Sequence, residues 1–285
     1  MSLSVFIFFL GGIIGQSLAP SDGLSTLPVA LLIIGTSSSI IPINHIISII
    51  GQRRTFLGVC IYTLAIITFA IIALTIQSFY LFCAATFLFG ITTATMNQFR
   101  FAAIECVDKK LSATATSVVL SGGLVSAFLG PELATTGRHL FATHFVGSFV
   151  LLSSCFVIAF SVLWFYRQTE PSTELQNSRA RPLSIITKQP VFIVAISSAT
   201  IGYVVMSYLM TATPMSMHLI DGHSLEQTKF VIQWHVIAMF LPSLFTPFIV
   251  RCLGLTKMML TGVLIYFVCI MFAYSGHALN NYWIT

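Results

Sequence analysis

Long apolar runs alternate with short polar breaks along the whole chain. Nine runs are long enough to cross a bilayer: residues 3–20, 25–49, 55–76, 79–105, 112–134, 145–166, 190–213, 228–250 and 257–276. A spanning helix needs about 20 predominantly apolar residues, and tilt absorbs the surplus in longer runs. Most breaks are short and carry turn-forming or charged residues, such as Ser21-Asp22-Gly23, Gly51-Gln52-Arg53-Arg54, Asp108-Lys109-Lys110 and Thr135-Thr136-Gly137-Arg138. One break is long, residues 167–189, and its Arg, Glu, Pro and Lys content reads as a solvated linker. The pattern predicts an all-α polytopic transmembrane helical bundle. Six spans form an N-terminal lobe at 1–166, a cytoplasmic linker covers 167–189, and three spans at 190–285 form part of a C-terminal lobe.

Composition removes the soluble alternatives. The 285 residues are 56% hydrophobic and 7% charged, with a mean hydropathy of +0.95. Soluble domains carry roughly 25% charged residues, and one this apolar would expose large aggregating patches. Intrinsic disorder needs the opposite composition. The six cysteines lie in or beside apolar runs without a CxxC pair, so neither a metal site nor a redox motif is expected, and no cofactor is implied. The first run lacks a basic leader and a small-residue cleavage site, so it reads as a span rather than a cleaved signal.

Charge then sets orientation. In a soluble protein the net charge of +5 would point to nucleic acid; here no nucleic-acid partner is expected, because the cations sort by loop. Arg53, Arg54, Lys109, Lys110, Arg167, Arg179, Arg181, Lys188, Arg251 and Lys257 follow even-numbered spans, whereas Arg138 and Lys229 lie on the other side and Arg100 sits inside the fourth span. The positive-inside rule puts the basic side, and with it the N-terminus, in the cytoplasm.

Two cytoplasmic turns resemble each other. Ile50-Gly51-Gln52-Arg53-Arg54 leads to Gly58-Val59-Cys60-Ile61-Tyr62, and Leu253-Gly254-Leu255-Thr256-Lys257 leads to Gly262-Val263-Leu264-Ile265-Tyr266. Allowing one inserted residue, both read apolar-Gly-x-x-cation, then Gly-Val-x-Ile-Tyr. They lie six spans apart, the spacing of parallel six-helix repeats in transporters.

On these residues the chain resembles the major facilitator superfamily over its whole length, in a bacterial form. The family's second inner turn reads Gly-x-x-x-Asp-basic-x-Gly-basic-basic. Gly51 and Arg53 match it and Arg54 adds a cation, while Asn44, Ser48, Ile49 and Gln52 depart from it. Glu105 fits the acid that often ends the family's fourth span and is expected to pair with Arg53 or Arg54, with a proton-carrying role as the alternative. Gly130-Pro131 fits the fifth-span motif, with Ser117 and Ser126 among the small residues around it. Thr86 stands where the family's drug/proton exchangers carry arginine. The resemblance implies a secondary active transporter of a small solute working by alternating access in the plasma (inner) membrane as a monomer, with proton coupling implied by the resemblance alone. The family has twelve spans, so the nine seen here imply a C-terminally shortened second lobe. An incomplete or non-transporting member is the competing expectation. An intramembrane enzyme is the remote one, since no HExxH occurs and acids are absent from most span interiors.

Intramembrane polar residues mark a candidate solute cavity. Gly90, Thr93, Asn97 and Arg100 share one helix face in the fourth span. Arg100 either meets an anionic substrate group, pairs with an acid, or snorkels to the nearby interface. Thr200, Tyr203, Ser207 and Thr211 share a face in the seventh span. With Gln16, Gln233 and His235 they are expected to line a central cavity, and His235 is a candidate proton carrier. Gly122, Ser126 and Gly130 recur every fourth residue and are expected to bring helices close, with Pro131 shaping the end of the fifth span. Glu132, at the outer end of that span, is expected to be solvated.

Overall fold

A computed structural model describes residues 2–108, 111–166, 183–276 and 282. The expected linker therefore lies mostly outside the described residues, at 167–182, as do Lys109 and Lys110. The helices are α1 (Ser2–Leu18), α2 (Leu27–Ile50), α3 (Gln52–Thr75), α4 (Phe79–Asn97), α5 (Phe99–Glu105), α6 (Ser112–Thr136), α7 (Val146–Trp164), α8 (Pro190–Met215), α9 (Leu225–Leu253) and α10 (Leu255–Tyr274). No strand occurs among the described residues. Eight helical stretches are long and apolar enough to cross a membrane, counting α4 and α5 together. The ninth, α1, has 17 residues and measures about 25 Å at 1.5 Å per residue. The bundle is an integral, multi-pass membrane protein: Ile41 and Val191 are each 80% exposed, a surface suited to lipid rather than water.

The boundaries moved where local chemistry outweighs hydropathy. The expected break at 51–54 shrinks to Gly51 alone, and Gln52, Arg53 and Arg54 form the first turn of α3. Gly51 allows this because it sits at φ +84°, which costs a residue without Cβ little. Gly254 does the same between α9 and α10 at φ +76°. Both glycines have ψ of 160°, and both amides bond the carbonyl four residues back at 2.9 Å. Thr55 and Met258, four residues on, each bond the glycine carbonyl at 3.2 Å. The two turns that resemble each other in sequence thus share one backbone solution. The expected start of the eighth span at 228 moves to Leu225, because Ser224 and Gln227 form a reciprocal capping box. The continuous fourth span expected over 79–105 is broken at Gln98 into α4 and α5.

The first seven helices pack around α1 and α4. Phe149 on α7 meets Phe6 edge-on at 5.1 Å between ring centroids and also contacts Phe82 and Phe89; Phe6, Phe82, Phe89 and Phe149 are fully buried. The tightest crossing is α2 on α4. A Cβ built on Gly90 would fall 2.2 Å from the backbone carbon of Gly35, and one on Gly35 would fall 2.1 Å from the Phe87 carbonyl oxygen. Membrane helices approach this closely only over small residues. The last three helices join the rest through α9 against α6 and α8 against α1. The outward faces of α8 and α10 carry exposed apolar side chains, among them Val191, Leu260 and Phe267.

Candidate functional site

A cavity of about 360 Å³ lies where α1, α4, α5, α6, α8 and α9 converge. Three of the predicted residues meet in it: Asn97 at the end of α4, Arg100 on α5 and Tyr203 on α8. Thr93 joins them, and Phe8 and Phe240 supply aromatic walls. After the break at Gln98 a new helix starts at Phe99, one residue before Arg100. Among the described residues no acid pairs with the Arg100 guanidinium, so of the three readings open for it, pairing with an acid is not realised. The Arg100 guanidinium, a planar fork of donors, thus lines a mainly apolar chamber. Asn97 adds an amide and Tyr203 a hydroxyl. The rest of the lining is soft: Met206, Met210 and Met239 are thioethers that re-pack around varied shapes.

The other candidates sit elsewhere. Gly90 does not line the chamber; it packs on Gly35. Gln16 lies at the far end of α1, where its amide donates to the Asp22 carboxylate at 2.8 Å. Ser207 follows Tyr203 by one turn, with its hydroxyl buried off the chamber lining. Thr200 and Thr211 bond carbonyls of their own helix. Gln233 is buried and turned toward α6, with its amide 3.5 Å from the Phe128 carbonyl. His235 lines a small separate void with Leu209 and Thr213, and its Nε2 is buried with no hydrogen-bond partner among the described residues. The sequence reading missed Phe8, Met206, Met210 and Phe240, although Tyr203, Met206 and Met210 follow the three- and four-residue spacing of one helix face.

At the end of the bundle that carries Gly51, the expected pairing of Glu105 with an arginine is replaced. Glu105 accepts from the Gln52 amide at 2.5 Å, and the Tyr166 hydroxyl donates to the Gln52 carbonyl oxygen at 3.0 Å. Arg53 donates instead to the Trp164 carbonyl at 2.7 Å, with its guanidinium 5.9 Å from that indole. Arg54 is exposed. Cations at a helix N-terminus oppose the helix dipole; the Trp164 carbonyl and indole ring that Arg53 reaches offset part of that cost.

The opposite end is joined differently. Lys229 on α9 is 8% exposed and contacts Glu132 on α6 at 3.0 Å and Glu226 on its own helix at 2.6 Å. Glu132 is 54% exposed, as expected of a solvated acid, and also forms half of a link between α6 and α9. The packing stripe on α6 is shifted by one residue at its start. Gly122 has open space around it, and Gly123 instead lies against the Phe240 ring. Ser126 is buried and bonds the Gly123 carbonyl, and Gly130 lies against Val5 and Phe6 of α1. Pro131 is buried inside α6. Losing a buried ion-pair partner is costly, but Glu132 is 54% exposed, so Lys229→Gln is expected to cost about 1–2 kcal/mol. A double-mutant cycle with Glu132→Gln, read by thermal unfolding in detergent, should give a coupling of roughly 0.5 kcal/mol or more; additive effects would remove the link.

Comparison with known proteins gives a concordant set of relatives. A sequence model of the Major Facilitator Superfamily matches residues 1–285. Riboflavin transporter RfnT of Brucella anthropi is 30% identical over 280 residues, covering 97% of this chain and 70% of the relative. Two uncharacterized MFS-type transporters of Bacillus subtilis, YddS and YdeG, are 26% and 28% identical over 87% and 89% of this chain. The chain spans 61% and 62% of those two proteins. No solved structure matches it.

Proposed function

The chain belongs to the major facilitator superfamily, a family of transporters rather than enzymes, and from that premise we propose that it carries a small solute across the plasma membrane at the Arg100 chamber. The observation that carries this reading is the chamber's construction. Asn97 and Arg100 come from the first seven helices and Tyr203 from the last three, so relative movement of the two groups changes access to one fixed site. In this reading residues 1–166 and 190–285 act as two lobes, and the Lys229–Glu132 pair closes the end opposite Gly51. The N-terminus lies in the cytoplasm and the working unit is a monomer.

The chamber chemistry suits a flat, polar ring system. Arg100 and Asn97 donate to ring carbonyls and nitrogens, while Phe8, Phe240 and the methionines hold its faces. A volume of about 360 Å³ falls in the range of small-molecule pockets, roughly 300–1,000 Å³. The riboflavin transporter among the relatives makes riboflavin the first solute to test. Purified protein in proteoliposomes is expected to accumulate radiolabelled riboflavin or a related flat heterocycle under an imposed proton gradient and to show counterflow without one. Absence of both for the whole solute panel would overturn the reading and favour a non-transporting member.

Proton coupling belongs to the same proposal, with His235 as the carrier. Its imidazole is buried and, among the described residues, its Nε2 has no hydrogen-bond partner. His235→Gln is expected to abolish gradient-driven accumulation while leaving counterflow within about twofold of the parent, because exchange needs no net proton movement. Equal loss of both activities would assign His235 a packing role.

A further inference from the structure

A second cavity, of about 580 Å³, lies at the end of the bundle opposite Gly51. Its walls come from the last turn of α1, the end of α3, the loop between α6 and α7, and the segment after α8 at His218 and Leu219. It shares no lining residue with the Arg100 chamber. We propose that this cavity is a binding site for a small organic anion with an apolar body, held by Arg138.

Charge and hydrogen bonding point to the anion. Among the described residues of the lining, Arg138 is the one Lys or Arg, and none is Asp or Glu. Among the described residues no acid pairs with Arg138, and its Nε is buried without a hydrogen-bond partner. A buried donor on a cation is costly to leave unmet. A carboxylate or sulfonate meets the planar guanidinium with two parallel hydrogen bonds. Asp22, which does not line the cavity, is engaged by the Gln16 amide at 2.8 Å. His144, His218, Gln16 and Gln77 add polar groups to the wall.

The loop is shaped around this arginine. Its guanidinium lies 5.5 Å from the centre of the Phe145 ring, and the Phe145 amide closes the loop on the Arg138 carbonyl at 3.1 Å. Phe145 is 7% exposed and sits at φ +65°, a left-handed conformation that costs a residue with a side chain about 1 kcal/mol or more. In this conformation the ring lies beneath the cation. Ile13, Ile14, Leu18, Leu74 and Leu219 make the aliphatic part of the wall, with the hydroxyls of Ser17, Thr75 and Thr143 among them. One cation in an apolar cup selects a single negative group on a hydrophobic body, as in an aromatic carboxylate.

The test uses the full chain in lipid nanodiscs with radiolabelled salicylate as the anion and salicylamide as its neutral counterpart. Saturable salicylate binding is expected, with salicylamide weaker by about tenfold or more, the scale of one charge-assisted hydrogen bond. Arg138→Gln is expected to lose affinity by a similar factor, Arg138→Lys to lose less, and Gly58→Ala, at an open position that lines neither cavity, to bind salicylate as the parent does. Elution as a single species and an unchanged melting temperature show that each variant is folded. Undiminished salicylate binding by folded Arg138→Gln, equal binding of salicylamide, or no saturable binding at millimolar salicylate would each overturn the proposal. Salicylate binding lost in Arg100→Gln but kept in Arg138→Gln would overturn it too, by moving the anion to the other chamber. The solute-transport reading does not depend on any of these outcomes.

Discussion

Gly90→Leu is expected to leave no folded, monodisperse protein, and Gly90→Ala to lower the melting temperature sharply. The reason is backbone against backbone. The Cβ that alanine would add lies 2.2 Å from the carbon and 2.3 Å from the following amide nitrogen at Gly35–Thr36, so no side-chain rotamer relieves the overlap. Overpacking in a well-ordered interior costs about 1–3 kcal/mol where side chains can yield; here α2 and α4 must separate, and the cost is expected to be about 3 kcal/mol or more. Gly35→Ala should behave the same way, because its Cβ meets the Phe87 carbonyl at 2.1 Å. Gly122→Ala and Gly58→Ala are the controls. Both positions are open, and removing a helical glycine there should be neutral or stabilising by up to about 1 kcal/mol. Fluorescence-detected size exclusion with a thermal ramp reads all four. A Gly90→Ala protein as stable as the parent would contradict the α2–α4 crossing.

Arg100→Gln is expected to lower transport, measured as kcat/KM in proteoliposomes, by roughly 10- to 100-fold. That range is one to two decades, the scale of a hydrogen bond from a charged donor in a partly desolvated site. Arg100 is half-buried on the chamber wall, so its loss removes solute binding more than it removes packing. KM should therefore rise more than kcat falls, and Arg100→Lys should recover only part of the loss because an ammonium lacks the planar fork. Gln233→Ala makes a useful contrast. Gln233 is turned toward the Phe128 carbonyl on α6 and away from the chamber, so its replacement should change stability and leave KM near the parent value. A KM unchanged in Arg100→Gln would place the solute elsewhere.

The spans were legible in the sequence because lipid imposes one rule on the whole chain: backbone polar groups must be satisfied within each helix. Every apolar run accordingly became helical, the fourth as two helices. What the sequence hides is rotation and depth. Gln16 and Asn97 look equally intramembrane as letters, yet Gln16 ends at the Asp22 turn and Asn97 opens on the chamber. Gly122 and Gly123 differ by one residue and hence by about 100° around α6, which decides which of them meets Phe240. Lys229 read as a minority topology marker, and its partner Glu132 read as solvated, because nothing local joins α6 to α9. The exchange of partners at Glu105 has the same origin. Gln52 begins α3 directly after Gly51, and that first turn points the amide at Glu105 while Arg53 reaches α7. The two glycine turns are the counter-example, since Gly51 and Gly254 were recognisable as a pair and fold to the same backbone geometry.

Alternating access to the Arg100 chamber is tested most directly by labelling Asn97→Cys in a background with the six native cysteines replaced. A membrane-impermeant maleimide is added to either side of oriented proteoliposomes. Labelling is expected from both sides, faster from the side that carries Gly51, and Lys229→Gln is expected to speed labelling from the other side by releasing the α6–α9 pair. Labelling from one side only, unchanged by Lys229→Gln, would contradict a chamber that serves the two faces in turn.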